Sequence, residues 1–155
     1  MKNVDLFGAH PSAEFSFIVH SHLRWDFVWQ RPQQILSRLA QHHPILFVEE
    51  PIFGDFAGSS LDISYPHTNV IRVVPYLDNN YAPDYDRSAR MVLVMLREQL
   101  KNNATLANLF RKRVQWFYTP MPTPIMLGEF NEMGVVYDCM DELAQFKDAP
   151  ADLRN

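Results

Sequence analysis

Along the chain, apolar positions come in short runs whose period changes from one segment to the next. Phe15-Ser-Phe-Ile-Val19 is a short run of strand composition. After a polar stretch, Pro32 suits the first turn of a helix, where its missing N–H costs nothing. Ile35, Leu36, Leu39 and Ala40 then recur at helical spacing and form one buried stripe. His42-His43-Pro44 stops that helix, because proline disfavours helix in the residue before it, and Ile45-Leu-Phe-Val48 reads as a second strand. Residues 51–69 contain Pro51, Gly54, Gly58, Ser59, Ser60 and Pro66, the composition of a loop-rich insertion, with a short irregular strand near Leu61 to Ser64. Val70-Ile-Arg-Val-Val74 is a third strand that Pro75 is expected to end. Ser88 is expected to cap a long helix carrying Val92, Leu96 and Leu100 on one face, which Asn102 and Asn103 break. A short helix from about Thr105 to Arg113, a strand at Gln115-Trp-Phe-Tyr118 and a last strand at Val135-Val-Tyr137 complete the pattern.

Strands alternating with helices predict an α/β fold. Consecutive parallel strands need a connection long enough to cross back, so the expected form is a Rossmann-like three-layer sandwich with a mainly parallel central sheet. Ligands of such sheets bind outside the carboxyl ends of the strands. That rule singles out residues 20–31, 49–60, 75–87, 118–124 and 138–142. A length of 155 residues suits one domain, over residues 15–155. Residues 1–14 mix Gly8, Pro11 and charges without periodicity and read as a flexible N-terminal arm.

Charge and composition narrow the partners. With 14 Lys and Arg against 18 Asp and Glu, the net charge of -4 gives no basic footprint for nucleic acid, which is excluded as a partner. Apolar runs fall far short of the roughly 20 residues that span a bilayer. The N-terminus lacks a basic segment followed by an apolar one, as a secretory signal would have. A single cysteine, Cys139, forms no internal disulfide and reads as a small buried or semi-buried residue; together these features predict the cytoplasm.

The densest polar and aromatic stretch is His20-Ser-His-Leu-Arg-Trp-Asp-Phe-Val-Trp-Gln-Arg31-Pro32, between the first strand and the first helix. Two histidines, two arginines, two tryptophans and an aspartate offer donors, an acceptor and flat apolar surfaces, a mixture suited to sugar hydroxyls and C–H faces or to anionic groups. The competing reading has Trp25, Phe27 and Trp29 closing the edge of the core while Asp26 pairs with Arg24 or Arg31. His20 and His22 also have the spacing by which two side chains on one strand face share a metal, as in metal-dependent hydrolases. Those hydrolases are barrels of about 250 residues, and His10, His42, His43 and His67 do not sit at predicted strand ends, so no metal is assigned. None of the 5 glycines forms a phosphate cradle after the first strand, and no G-x-S-x-G is present.

Beyond the last strand, Asp138, Asp141 and Glu142 can orient hydroxyls or move protons, or can cap a helix through Leu143 to Phe146. Glu49 and Glu50 pose the choice between acceptor contacts and ordinary solvated carboxylates, with the second ahead. Arg111-Lys112-Arg113 follows Leu106, Leu109 and Phe110, so a basic amphipathic edge offers peripheral contact with an anionic membrane surface; a solvated helix end is the simpler reading.

Three blocks, Trp25-Asp-Phe-Val-Trp-Gln-Arg-Pro-Gln-Gln34, Leu46-Phe-Val-Glu-Glu-Pro51 and Val136-Tyr-Asp-Cys-Met-Asp-Glu142, resemble the bacterial GT4-like (group 1) glycosyltransferases that build cell-surface polysaccharides. The resemblance runs from about Phe15 to the C-terminus. It implies the N-terminal half of a GT-B fold, in which two Rossmann-like domains face each other across a cleft. This half contacts a carbohydrate or lipid-linked acceptor, and a C-terminal domain, missing here, holds the nucleotide-sugar donor. Transfer in that architecture needs no metal, and no cofactor is expected in this chain. On this reading His20, His22, Arg24, Trp25, Asp26, Gln30 and Arg31 lie on the acceptor side, while Tyr118, Thr119, Asp138 and Asp141 line the interdomain cleft. Many GT4-like enzymes carry a glycine-rich loop after the first strand and a histidine after a later one. Here His20 to Asp26 and Tyr118-Thr119-Pro120 stand in those places, so no catalytic residue is assigned. The segment Ala149-Pro-Ala-Asp-Leu-Arg-Asn155 reads as a truncation point, the isolated chain as inactive, and the surface left by the missing domain as a face for dimerisation. A stand-alone saccharide- or protein-binding module is the alternative.

Overall fold

The computed structural model describes residues 14–139. Its elements in chain order are β1 (Ser16–His20), α1 (Arg31–Leu39), β2 (Ile45–Val48), β3 (Ile52–Gly54), β4 (Ser60–His67), β5 (Val70–Asp78), α2 (Tyr85–Asn102), α3 (Ala104–Leu109), β6 (Arg113–Phe117), α4 (Thr123–Met126) and β7 (Gly134–Tyr137). The strands form one sheet in the order β3-β5-β2-β1-β6-β7. Every pair along that path is parallel, and β4 adds antiparallel to β5.

Side chains alternate across a strand, so each central strand feeds two cores. Ile18, Leu46, Val48, Ile71, Val73 and Phe117 face α2, α3 and α4, where Val92, Leu96, Leu100 and Leu106 meet them. Phe17, Val19, Ile45, Phe47, Val70, Trp116 and Tyr118 face α1 and pack on Leu36 and Ala40. Burial on both faces is why β1 and β2 read as nearly unbroken apolar runs. The architecture is the expected α/β three-layer sandwich.

Local chemistry departs from the sequence reading in several places. Residues 51–69 hold two strands, β3 and β4, rather than a loop with one fragment. In β4, Leu61 and Ile63 turn inward onto the core while Ser60 and Asp62 do not, and Pro66 falls where the register with β5 shifts between Ser64 and His67. Strand β5 also runs through Pro75. Glu49 N–H donates to the Val73 carbonyl, so by alternation Pro75's nitrogen turns to that same side, where β2 has ended at Val48 and β3 resumes pairing only at Tyr76. No ladder bond is sacrificed there.

Helix α2 is capped by Asp84, whose carboxylate accepts from Arg87 N–H at 3.0 Å. Ser88 lies a turn inside and donates its hydroxyl to the carbonyls of Tyr81 (2.7 Å) and Asp84 (2.9 Å). Asn103 both ends α2 and caps α3. Because α3 stops at Leu109, Arg111-Lys112-Arg113 is not the end of an amphipathic helix: the Lys112 carbonyl accepts from Ser16, and Arg113 opens β6. The short α4 and a 3-10 turn at Asn79–Tyr81 were not anticipated. No helix among the described residues is long and apolar enough to cross a membrane. The N-terminal arm, Asp141, Glu142 and the helix expected at Leu143 lie outside the described residues.

Candidate functional site

From β1 the chain passes through α1 to β2 on one side, while β6 flanks β1 on the other. Loops leaving β1 and β6 therefore part at the sheet's carboxyl edge, which is where open α/β sheets leave a crevice. A cavity of about 230 Å3 lies there on the α2 side, lined by His20 at the end of β1 and Ser21 after it, Val48 at the end of β2 and Glu49 to Pro51 after it, Phe53 of β3, Tyr85, Ser88 and Val92 of α2, and Thr119, Pro122 and Met126 after β6.

His20 ends β1 and is only 3% exposed. Its Nε2 lies 2.7 Å from Gln115 Oε1, and its ring stacks on Phe117 with centroids 4.7 Å apart. The Gln115 amide nitrogen donates to the Met126 carbonyl at 2.7 Å and to Glu132 Oε1 at 3.0 Å. Burial pushes the His20 pKa down to about 4, against the Gln115 hydrogen bond and the Glu132 charge, so the ring is neutral near pH 7. Burial alone would raise Glu132; hydrogen bonds from Gln115 and from the Gly128 and Phe130 amides reverse that and hold its carboxyl below the ordinary range.

Beside the cavity, Glu49 is 2% exposed, which corrects the expectation of a solvated carboxylate. Its Oε2 accepts from Arg72 Nε at 2.6 Å and from Trp25 N–H at 3.0 Å, and its Oε1 from Arg24 Nη1 and Arg72 Nη2, each at 3.2 Å. A buried charge survives only when paired in this way. Arg72 also donates to Asp26 at 2.7 Å, and Arg24 to the Glu50 carbonyl at 2.6 Å. The three residues Arg24, Trp25 and Asp26 are thus tied to β2 and β5, and Asp26 pairs with Arg72 rather than with Arg24 or Arg31.

Glu50 differs from its neighbour. It keeps an exposed face yet lines the cavity, and desolvation raises its pKa while Arg24 opposes the rise. Partial burial, then the charges of Glu50 and Asp86, raise the Tyr85 phenol above its usual range.

Of the seven residues read as acceptor-side, His20 lines the cavity. Trp25 is buried on the α1 face, edge-on to Phe47 at 5.2 Å. Gln30 is the N-cap residue of α1, and its backbone N–H donates to Gln33 Oε1 at 3.0 Å. Arg31 holds Asp138 through two bonds of 2.8 and 3.1 Å, joining the start of α1 to the residue after β7. His22 is half-buried outside the cavity lining. Phe27, Val28 and Trp29 are 66%, 62% and 51% exposed, so Phe27 and Trp29 do not close the core as Trp25 does. Among the cleft residues, Thr119 lines the cavity, whereas Tyr118 is buried on the α1 face with no hydrogen-bond partner for its hydroxyl among the described residues. Burial and then Asp138 raise the Tyr118 pKa, with Arg31 opposing. Cys139 is exposed, which corrects the buried reading.

Sequence reasoning did not single out Gln115, Glu132, Arg72 or Tyr85. The available signal was a polar residue inside an apolar strand, since a buried polar group needs a partner: Gln115 in Val-Gln-Trp and Arg72 in Ile-Arg-Val. Among the described residues no group of three or more His, Cys, Asp or Glu side chains is placed to hold a metal ion.

No family model matches the chain, and no curated protein matches it. It is similar to a solved structure described as trehalose-6-phosphate from E. coli bound with UDP-2-fluoro glucose, at 13% identity and a TM-score of 0.45. The match covers 70% of this chain and 28% of that one, so the chain spans well under half the length of that structure.

Proposed function

We propose that this chain is the acceptor-side domain of a glycosyltransferase of GT-B architecture. The parent enzyme transfers a sugar from a nucleotide-sugar donor to a carbohydrate or lipid-linked acceptor in cell-surface polysaccharide synthesis, and the donor binds on a separate domain. The observation that carries this reading is the lining of the cavity at the switch point between β1 and β6: among the described residues it contains no lysine or arginine. Its polar groups are the neutral His20, the hydroxyls of Ser21, Ser88, Thr119 and Tyr85, and the carboxylate of Glu50; Val48, Pro51, Phe53, Val92 and Met126 supply apolar walls.

A sugar ring presents hydroxyls at its edge and C–H groups on its faces, which suits this mixture. A phosphate would meet the Glu50 carboxylate, and no lysine or arginine among the described residues lines the cavity to bind it. At about 230 Å3 the cavity is below the ~300–1,000 Å3 of drug-sized ligand sites and fits one uncharged monosaccharide unit better than a nucleotide. The resemblance of three sequence blocks to GT4-like enzymes supports the same assignment. His20 and Glu50 are the cavity groups able to hold an acceptor hydroxyl and take up its proton as the new glycosidic bond forms.

The test is a titration of the chain followed by amide and side-chain NMR, with methyl glucoside and related neutral methyl hexosides set against their 6-phosphates. Neutral sugars are expected to shift Ser21, Glu50, Tyr85 and Thr119, and the phosphates to act more weakly. Preference for the phosphates, or shifts confined to another face, would refute the assignment.

A further inference from the structure

We propose that Gln115 and Glu132 are positioning residues that fix His20 as its Nε2-protonated tautomer, leaving Nδ1 as the hydrogen-bond acceptor for a sugar hydroxyl in the cavity. The identity of the ligand rests on the acceptor-site reading above; the tautomer does not.

Donor and acceptor inventory decides the geometry. Both N–H groups of the Gln115 amide are engaged by oxygens that only accept, the Met126 carbonyl at 2.7 Å and the Glu132 carboxylate at 3.0 Å. Flipping that amide would turn its oxygen against both acceptors and lose both bonds in a fully buried site. Gln115 Oε1 is therefore the atom that meets His20 Nε2 at 2.7 Å, and an oxygen there requires the ring to donate. A neutral imidazole carries one N–H, so Nδ1 keeps its lone pair. Glu132 is itself held by the Gly128 and Phe130 amides, which ties the loop after α4 to β6 and keeps the carboxylate where Gln115 needs it. The chain Glu132–Gln115–His20 thus runs from that loop through β6 to the end of β1, where His20 faces the cavity. A residue filling space in the core would need no such fixed polarity.

Long-range nitrogen–proton NMR of the histidine rings reads the tautomer directly, without ligand, in the 155-residue chain. The native protein is expected to show His20 protonated at Nε2 and unprotonated at Nδ1 near pH 7. Gln115→Leu, close in size and apolar, should give a mixed tautomer and weaken neutral methyl hexoside binding roughly tenfold, equivalent to about 1.4 kcal/mol. Dispersed amide spectra check folding of each variant, and Glu132→Gln gives a second, milder perturbation that should loosen the tautomer preference. A native ring protonated at Nδ1, or a tautomer indifferent to both Gln115→Leu and Glu132→Gln, would overturn the proposal. A native Nε2 tautomer that responds to the variants, with a Nδ1 resonance unmoved by any neutral sugar, would uphold the positioning and remove the sugar reading.

Discussion

Replacing Glu49 with glutamine tests whether the paired carboxylate anchors the loop after β1. The native carboxylate accepts from Arg24, the Trp25 amide and twice from Arg72. Glutamine keeps the shape but offers one oxygen and turns an NH2 toward cationic donors. Breaking a fully buried pair costs about 3–5 kcal/mol, but the Arg72 and Arg24 side chains are 20% and 36% exposed, so water recovers part of the loss. The orphaned Trp25 amide adds about 1–3 kcal/mol, since its environment is buried. A net cost of about 2–4 kcal/mol follows for Glu49→Gln, measured by urea unfolding. It should change little between low and high salt because a buried pair is weakly screened. In a double-mutant cycle with Arg72→Met, the coupling should exceed about 1 kcal/mol, as contacting charges do. A Glu49→Gln protein within about 0.5 kcal/mol of native stability, or additive mutations, would refute the anchoring role.

Other consequences are as direct. His20 binds its proton more weakly folded, at a pKa of about 4 against 6.5, so the unfolded state takes up more protons between those values. Its contribution to stability is complete above about pH 6.5 and falls by a few kcal/mol as pH drops toward 4; a His20→Gln protein should lack that component in pH-dependent melts. Asp138→Asn removes an ion pair whose Arg31 partner is 57% exposed, so it should cost less than about 1 kcal/mol, with the loss fading in high salt during thermal denaturation. Asp84→Ala should destabilise by about 1 kcal/mol through loss of the α2 cap, read by chemical denaturation, whereas capping by Ser88 would instead leave it neutral. In the cavity, Glu50→Lys should reverse the preference for neutral sugars over their 6-phosphates in the same titration.

Much of the fold was visible in the sequence because the central strands are apolar on both faces and α1 carries both a proline near its start and a single buried stripe. Strand β4 was legible only as a short stretch near Leu61 to Ser64, because only Leu61 and Ile63 pack on the core, among serines, an aspartate and a proline, and β3 was missed. Strand β5 passes Pro75 because a neighbouring strand is missing at that point, a fact of tertiary arrangement that no local pattern carries. Four of the segments picked out by the carboxyl-end rule, 20–31, 49–60, 75–87 and 118–124, contribute residues to the cavity lining. Within those loops the sequence did not reveal side-chain allegiance. Arg24, Trp25 and Asp26 look like a ligand-binding run until Glu49 and Arg72, distant in sequence, are brought beside them. His20 and His22 look equivalent until Gln115 engages one of them.

The proposed division of labour between acceptor and donor domains is the central claim, and calorimetry with a nucleotide-sugar tests it most directly, comparing the 155-residue chain with the proposed two-domain parent. The account predicts heat of binding for the parent and none for the chain alone, while neutral methyl hexosides still bind the chain. Tight binding of the nucleotide-sugar by the chain alone would contradict it and make this domain the donor site.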